Sequence, residues 1–281
     1  RQLLIVDEVH ASDAYMTRII EDVLARQLAA GGHALLLSAT LGAETRARLV
    51  EPTRRAASLA LPTLQEAVAT PYPLVTQRDA DGKAASLSAR NDGPSRVVQI
   101  EPRPWLEDRD AVAACALEAA RQGAKILVIK NTVKDCVETQ QALERATCRE
   151  ERTLLFSCVG VVAPHHARFA RVDREALDHA LDQRFGKAEG RPQGGCIVVA
   201  TQTVQQSLDI DADFLVTDLC PADVLLQRIG RLHRHARPRP KGFVDPHAVV
   251  VVPVARDLGV LLNERGHARH HHGLGTVYPD L

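Results

Sequence analysis

Two adjacent carboxylates, Asp7 and Glu8, follow the first apolar run of the chain. That run, residues 3–6 (LLIV), predicts a β-strand covered on both faces of a parallel sheet. Ligands of open α/β sheets bind beyond the carboxyl ends of strands, where this pair falls. One acid there can hold Mg²⁺ and the other can orient an attacking water, as phosphoryl transfer requires. Taken alone, however, the two residues are more simply interpreted as solvated loop acids.

A second short motif, Ser38-Ala39-Thr40, follows the next apolar run, residues 34–37. Its two hydroxyls could relay hydrogen bonds between a nucleotide site and a neighbouring surface. The alternative is an ordinary strand-to-turn transition, in which Ser38 and Thr40 bond to nearby backbone groups.

Residues 198–218 (VVATQTVQQSLDIDADFLVTD) form a more specific pattern. A buried strand ends at Ala200, and the hydroxyl and amide side chains of Thr201 and Gln202 can reach a phosphate backbone. Asp209 follows in a position where an acid could meet a ribose hydroxyl. A turn with a helix cap is the alternative interpretation.

A basic stretch covers residues 225–241 (LLQRIGRLHRHARPRPK). Arg228, Arg231 and Arg234 recur every three residues, and a guanidinium can grip a γ-phosphate through two donors. Gln227 and Gly230 lie inside the run, and Gly230 permits close approach. They argue against the alternative, a solvated basic helix or loop. Three more basic residues follow, at Arg237, Arg239 and Lys241.

Weaker candidates are distributed along the rest of the chain. Asn131 and Thr132 end a predicted strand and could contact a nucleic-acid backbone, although a helix cap explains them as well. His166 and Arg168 lie in PHHARF, a loop that contacts nucleic acid or has no functional role. Residues 267–272 (HARHHH) suggest a metal site, but a solvated tail is favoured because no Cys or carboxylate lies at useful spacing.

The composition limits the classes of function. Lys+Arg and Asp+Glu balance at 35 each, so attraction to nucleic acid must come from local patches. Aromatic residues make up only 3% of the chain, which argues against binding by many stacked rings. The six cysteines are scattered without a C-x-x-C pair, and no apolar run could span a bilayer. A cytoplasmic protein with reduced thiols is expected.

Apolar runs and helical patterns alternate along the chain, which predicts a parallel α/β sheet. The predicted helices cover residues 109–121, 133–146, 173–185 and 222–232, and the predicted strands after residue 105 cover 125–130, 153–157, 196–200, 214–218 and 248–252. Between about 60 and 105, Pro, Gly, Asp and Ser accumulate, so an exposed hairpin or interdomain connection is expected. We interpret the chain as residues 1–90, the end of one domain, and residues 91–281, a nearly complete second domain.

The order of these motifs resembles a known family. D-E-x-H, S-A-T, A-T-Q-x-x-x-Q-S-L-D-I-D and Q-R-x-G-R-x-x-R resemble motifs II, III, V and VI of superfamily 2 helicases. More narrowly, residues 200–235 resemble the CRISPR-associated helicase of type I systems. That resemblance implies tandem RecA-like domains with parallel sheets, the first truncated at its N-terminus, which bind ATP between them. It also implies movement along single-stranded DNA, 3′ to 5′, in partnership with a guide-RNA surveillance complex.

The resemblance further implies roles for individual residues. Asp7 would hold Mg²⁺ with ATP, Glu8 would activate water, and His10, Ser38 and Thr40 would couple hydrolysis to unwinding. The nucleotide would be met by Asp209, Gln227, Arg228 and Gly230, with Arg234 and then Arg231 preferred as the arginine finger. The nucleic acid would be met by Thr201, Gln202, Asn131, Thr132, His166 and Arg168.

The chain departs from the family pattern at the phosphate-binding loop, because G-x-x-x-x-G-K-[ST] does not occur in it. Gly82-Lys83 and Gly186-Lys187 lack the earlier glycine, and Ala84 and Ala188 replace the hydroxyl. The family's nuclease domain has no counterpart either. We therefore expect a partial chain, inactive alone, of an ATP-hydrolysing protein. Another superfamily 2 helicase acting on DNA or RNA, and a nucleic-acid-binding module without turnover, remain alternatives.

Overall fold

The computed structural model describes most of the chain, in segments separated by short gaps. The described residues are 2–9, 14–53, 59, 61–79, 81–90, 96–188, 190–205, 208–254, 257–269 and 274–278. They fall into two compact units, residues 1–95 and residues 96–279. None of the described helices combines the length and the apolarity that crossing a bilayer needs.

The first unit contains a pair of parallel strands, three helices and a hairpin. Its elements are β1 Leu3–Val6, α1 Ala14–Ala29, β2 His33–Leu36, α2 Ala43–Val50, α3 Leu64–Ala69, β3 Leu74–Arg78 and β4 Ala84–Ser88. β1 and β2 run parallel, with Leu3 opposite His33. β3 and β4 form an antiparallel hairpin in the segment where a hairpin was one of two predictions, and every residue of β4 is exposed.

The core of the first unit lies on one face of the β1–β2 pair. Val9, Leu24 and Leu49 are buried there, together with partly buried side chains from both strands. Leu3 and Ile5 lie on the opposite face and are each 57% exposed. The prediction that β1 is covered on both faces is therefore wrong for the described residues, because α1 and α2 supply apolar side chains to one face only.

The second unit contains a five-stranded sheet with helices on both faces. Its elements are β5 Gln99–Arg103, α4 Arg109–Arg121, β6 Lys125–Ile129, α5 Val133–Ala146, β7 Ser157–Cys158, β8 Val161–Val162, α6 Arg171–Phe185, β9 Cys196–Ala200, β10 Phe214–Asp218, α7 Ala222–Ile229, β11 His247–Val251 and α8 Leu274–Val277. The strand order is β5-β11-β10-β6-β9, and every pairing in this sheet is parallel. The predicted parallel α/β architecture is confirmed.

Strand β6 shows why its run of apolar residues is continuous. Ile126 and Val128 face one cluster of core residues, which includes side chains of α4 and α5. Leu127 and Ile129 face a second cluster on the other side of the sheet, with side chains of α6. Successive side chains of a strand point to opposite faces, so both faces of a central parallel strand must be apolar.

Several elements differ from the prediction, among them three in the second unit. Residues 150–154 form a 3₁₀ helix where a strand was expected from residue 153. β5, with the sequence QIEPR, was not predicted because a polar strand containing proline lacks the alternating signal; it lies at the edge of the sheet. α7 ends at Ile229 because the chain then turns to pair with Ala212, whose backbone NH donates to Arg231 O at 2.9 Å.

Candidate functional site

Asp7 and Glu8 lie at the carboxyl end of β1, and both side chains are exposed. The Asp7 carboxylate accepts a hydrogen bond from the Glu8 backbone NH at 2.8 Å. Glu8 has a φ of 54°, in the left-handed region that residues other than glycine seldom occupy. Such strained residues cluster at functional sites, so the backbone adds a signal that the sequence does not carry.

The Ser38–Thr40 motif lies beside this acidic pair. Leu37 NH donates to Val6 O at 2.9 Å, and Val9 NH donates to Leu37 O at 3.1 Å, so the ends of β1 and β2 are tied together. Ser38 Oγ donates to Thr40 O at 2.7 Å, the local backbone contact that was the alternative interpretation. Thr40 Oγ1 is buried and has no partner among the residues that the structure describes. His10 lies outside those residues.

The acidic pair fits a Mg²⁺ ion that arrives with a nucleotide. Mg²⁺ is usually held by one or two carboxylates together with phosphate oxygens and waters, rather than by a cage of protein ligands. The described residues contain no cluster of three or more His, Cys, Asp or Glu suited to a metal. Asp7 and Glu8 offer two exposed carboxylates, which is enough for a Mg²⁺ ion that phosphate oxygens and waters also hold.

In the second unit, the predicted nucleic-acid residues converge where β6, β9 and β10 end. Lys130 and Asp218 form a buried ion pair, and Asn131 NH donates to the same carboxylate at 2.9 Å. Gln202 Nε2 donates to Asn131 O at 2.9 Å. The structure therefore brings Asn131 and Gln202 together, with Asn131 and Thr201 each only 2% exposed.

Thr132 is the N-cap of α5. Its hydroxyl oxygen accepts from the Asp135 backbone NH at 3.0 Å, and the hydroxyl lies 2.7 Å from the Asp135 carboxylate. The helix-cap alternative therefore describes the local structure of Thr132. A capping hydroxyl satisfies one of the orphan NH groups of the first helical turn.

Arg228 is completely buried. Its guanidinium donates at 2.6–3.1 Å to five acceptors, which are Gln205 Oε1, Thr217 Oγ1, Asp218 O, Asn131 Oδ1 and Tyr278 OH. A guanidinium has five N–H donors, so this set engages all of them. Arg228 presents no N–H to an added ligand in this arrangement, whereas the sequence analysis assigned it to the nucleotide.

Gln227 and Gly230 lie at the end of α7. Gln227 is half-buried. Gly230 follows the last helical residue, and a Cβ atom there would lie 3.1 Å from the Gln227 carbonyl oxygen. The glycine is therefore accounted for by the tight end of the helix itself.

The two arginines considered for the finger differ in their surroundings. Arg234 Nε donates to Asp209 Oδ1 at 2.5 Å, and the two side chains are 41% and 48% exposed. His235 Nε2 lies 3.1 Å from the same oxygen. Arg231 instead donates to Leu208 O at 2.7 Å and to Gln205 O at 2.6 Å. Arg234 is thus the more accessible of the two.

The charge of Asp209 is stabilised by this arrangement. Partial burial acts to raise the pKa of Asp209, but the hydrogen bond from Arg234 and the charges of His235 and Arg234 outweigh it. The net result is a pKa below the ordinary value for aspartate. The carboxylate therefore remains an acceptor at neutral pH.

The trailing arginines of the basic stretch pair with buried acids. Arg239 donates to Asp211 at 2.8 Å and to Asp213 at 2.7 Å, and Arg237 Nε lies 2.7 Å from Asp211. The arginine side chains are only 6% and 15% exposed. Arg191 also lies 3.6 Å from Asp211. The alternating acids in residues 209–213 (DIDAD) are the sequence signal by which the acidic partners of these arginines could have been found.

Both histidines of the PHHARF loop are buried, although the loop itself is partly exposed. His166 stacks on Phe169 with ring centroids 4.4 Å apart and is 8% exposed, whereas Arg168 is exposed. His165, the other histidine of the PHHARF loop, is wholly buried between Thr203 Oγ1 at 2.8 Å and Asp178 Oδ1 at 2.7 Å. Burial lowers the pKa of both His165 and His166.

The second unit has a parallel sheet with helices on both faces, as RecA-like domains have, and the order of the motifs along the chain resembles that of superfamily 2 helicases. The family model described as "CRISPR-associated nuclease/helicase Cas3, C-terminal" matches residues 122–237. The CRISPR-associated endonuclease/helicase Cas3 of Escherichia coli (strain K12) is 36% identical over 284 residues, which cover 99% of this chain and 29% of the relative. The chain is therefore similar to CRISPR-associated Cas3 proteins over nearly its whole length.

Solved structures agree with this assignment. T. fusca Cas3-AMPPNP has a TM-score of 0.75 and 28% identity, covering 99% of this chain and 31% of that chain. A chain of a CRISPR RNA-guided surveillance complex, pre-nicking, has a TM-score of 0.72 and 26% identity, covering 98% of this chain and 33% of that one. The present chain therefore spans about a third of the length of the proteins it matches.

Proposed function

We propose that this chain is part of an ATP-dependent translocase or helicase on single-stranded DNA, acting in the cytoplasm in type I CRISPR antiviral defence. The observation that carries the proposal is the exposed Asp7–Glu8 pair, with its left-handed backbone at Glu8, at the carboxyl end of a parallel strand. Similarity to Cas3 proteins supports the same activity. Residues 1–90 would belong to a first RecA-like domain and residues 91–281 to a second.

The acidic pair performs the hydrolytic chemistry in this proposal. Asp7 holds Mg²⁺ with the nucleotide, and the ion supplies charge neutralisation at the phosphates. Glu8 orients the attacking water and accepts its proton, which its exposed carboxylate can do. Ser38 and Thr40, tied to the same strand ends, couple hydrolysis to movement, as does His10. The T. fusca relative, whose structure contains AMPPNP, supports a nucleotide as the ligand.

Arg234 stabilises the charge of the transferred phosphoryl group in this proposal. Its partial exposure and its solvent-exposed ion pair with Asp209 support the assignment over Arg231, whose guanidinium is held by two carbonyl groups. Asp209 meets a ribose hydroxyl, and Gln227 lies close to the phosphates.

The DNA strand contacts the second unit at the half-buried Gln202 and at the exposed Arg168, and the buried Thr201 supports the backbone beside Gln202. Asn131, Thr132 and His166 shape this surface, since their polar groups bond mainly to the protein. The partner is a guide-RNA surveillance complex, supported by the similarity to a chain in such an assembly. All six cysteines are free thiols in the structure, which is compatible with a reducing cytoplasm.

The test is ATP hydrolysis by the native protein that contains this sequence, measured with and without single-stranded DNA. We expect stimulation by DNA and a loss of about 10²-fold or more in kcat on Glu8→Gln, since a general base contributes at least that much. Glu44→Gln, at an exposed position in α2, is the matched control. Stimulation by RNA alone would indicate another superfamily 2 helicase, and DNA binding without hydrolysis would indicate a binding module.

A further inference from the structure

We propose that Tyr278 is a positioning residue that fixes Arg228 and so holds residues 201–205 in the shape that contacts single-stranded DNA. The inference rests on the proposed function for the identity of the ligand. The contacts themselves are independent of it. Tyr278 lies outside every motif that the sequence singles out.

Tyr278 contacts the end of α7 through its hydroxyl group. Its oxygen accepts a hydrogen bond from Arg228 Nη2 at 2.8 Å, and Arg228 also donates to Gln205 Oε1 at 3.1 Å. Burial raises the pKa of Tyr278, so the phenol stays protonated at neutral pH. The hydroxyl therefore completes the set of acceptors around Arg228, the residue that links the end of α7 to the turn that follows β9.

The segment between residues 201 and 205 is held at both ends by this network. Gln202 is fixed through its hydrogen bond to Asn131 O, at 2.9 Å, and Asn131 in turn accepts from Arg228 at 2.9 Å. Gln205 is fixed at the other end, where its Oε1 accepts from Arg228 Nε at 3.1 Å. A single turn of 3₁₀ helix, Gln202–Val204, lies between these two attachments. Arg228 and Tyr278 together therefore determine where this turn presents its polar side chains.

The hydroxyl of Tyr278 is the part of this network that can be removed most cleanly. Replacing it by hydrogen leaves the aromatic ring in place but leaves one buried N–H of Arg228 without an acceptor. A buried donor without a partner destabilises the local arrangement more than the loss of one contact suggests. The effect should appear in the turn at residues 201–205, while Asp7 and Glu8 keep their environment.

The experiment compares Tyr278→Phe with Tyr15→Phe in the native protein. Tyr15 is 75% exposed, so its variant controls for the chemical change. For Tyr278→Phe we expect the DNA concentration that half-maximally stimulates ATP hydrolysis to rise about tenfold, the effect of one hydrogen bond to a charged group. The KM for ATP should change by less than about twofold, because no nucleotide contact is removed. Amide hydrogen exchange should become faster in residues 201–205.

A second variant tests whether the two residues act together. Arg228→Lys retains the charge but cannot engage five acceptors. If Tyr278 acts through Arg228, adding Tyr278→Phe to Arg228→Lys should weaken DNA stimulation no further. Should Arg228→Lys fail to fold, Tyr278→Phe alone still decides the question.

The outcomes separate this proposal from the proposed function. If Tyr278→Phe changes neither the DNA concentration for half-maximal stimulation nor the amide hydrogen exchange of residues 201–205, the positioning role of Tyr278 is wrong. This holds even if the wild-type protein is a DNA-stimulated ATPase. A wild-type protein without such activity would overturn the proposed function. The amide hydrogen exchange of residues 201–205 would then be the test of the positioning role of Tyr278. An equal rise in the KM for ATP and in DNA half-saturation would indicate general destabilisation and would also contradict the proposal.

Discussion

Arg234 donates a hydrogen bond from Nε to Asp209 Oδ1 at 2.5 Å. Two residues that the sequence assigns to the same nucleotide are therefore partners of each other. His235 shares the same carboxylate oxygen at 3.1 Å. A nucleotide can bind Arg234 and Asp209 either while their hydrogen bond is kept or after it is broken. The ion pair therefore fixes where the proposed arginine finger lies before a nucleotide binds.

The first prediction distinguishes Arg234 from Arg231. Arg234→Lys in the native protein should lower kcat for DNA-stimulated ATP hydrolysis by about 10³-fold or more, the range for arginine fingers. Its thermal stability should change little, since an exposed ion pair contributes about 0–1 kcal/mol. Arg231→Lys should instead lower the melting temperature, because Arg231 bridges two carbonyl groups. The reverse pattern of kinetics and stability would exchange the two roles.

The second prediction concerns the buried acid Asp211, which faces Arg191, Arg237 and Arg239. Asp211→Asn keeps the shape of the side chain but leaves these cations without their shared anion. The free energy of unfolding should fall by about 3–5 kcal/mol, as for other broken buried ion pairs. Chemical denaturation of the purified protein would measure it.

Asp245→Asn supplies the control for this change. Asp245 is exposed, and surface substitutions usually alter stability by no more than about 0.5 kcal/mol. Equal stability of the two variants would mean that the ion pairs of Asp211 contribute nothing measurable to the fold.

The third prediction is a loss of stability at acid pH that depends on His165. Burial lowers the pKa of His165 in the folded state below the ordinary value of about 6.5. Above that value the ring is neutral in both states and has no effect. As the pH falls through about 6.5, the unfolded state binds the proton more readily, so stability decreases until the folded pKa is reached.

Thermal unfolding between about pH 7 and pH 5 would measure this dependence. His165→Gln should reduce the slope, and His33→Gln, at an exposed position in β2, should not. The reduction will be partial, because burial also lowers the pKa of His166 and of His233. A slope identical to that of the wild-type protein would exclude His165 as a contributor.

The fourth prediction concerns the 281-residue polypeptide by itself. Backbone NH groups of a G-x-x-x-x-G-K-[ST] loop cradle the phosphates of a nucleotide, and this sequence has no such loop. The isolated polypeptide should therefore show no DNA-stimulated ATP hydrolysis, whereas the native protein should. Phosphate release assays on both would test this. Substantial turnover by the polypeptide alone would require a different nucleotide site.

Most helices and strands of the second unit could be predicted from the sequence, because the patterns that indicate them are local. Central strands such as β6 are continuous apolar runs, and the predicted helix 109–121 coincides with α4. The cap at Thr132 was one of two open interpretations of that residue, and it depends only on contacts within one helical turn. Strand β5 escaped prediction because edge strands with proline lack such a pattern.

The sequence by itself determined the class of fold, the motif order and the family resemblance, since these depend on residue types and spacing. Only the tertiary structure decided which charged side chains are free to meet a ligand. Arg228 and Arg234 occupy equivalent positions in a repeat of three, yet one is buried with five acceptors and the other is 41% exposed. The acceptors include Asn131, 97 residues away, so the difference depends on long-range packing that no local pattern encodes.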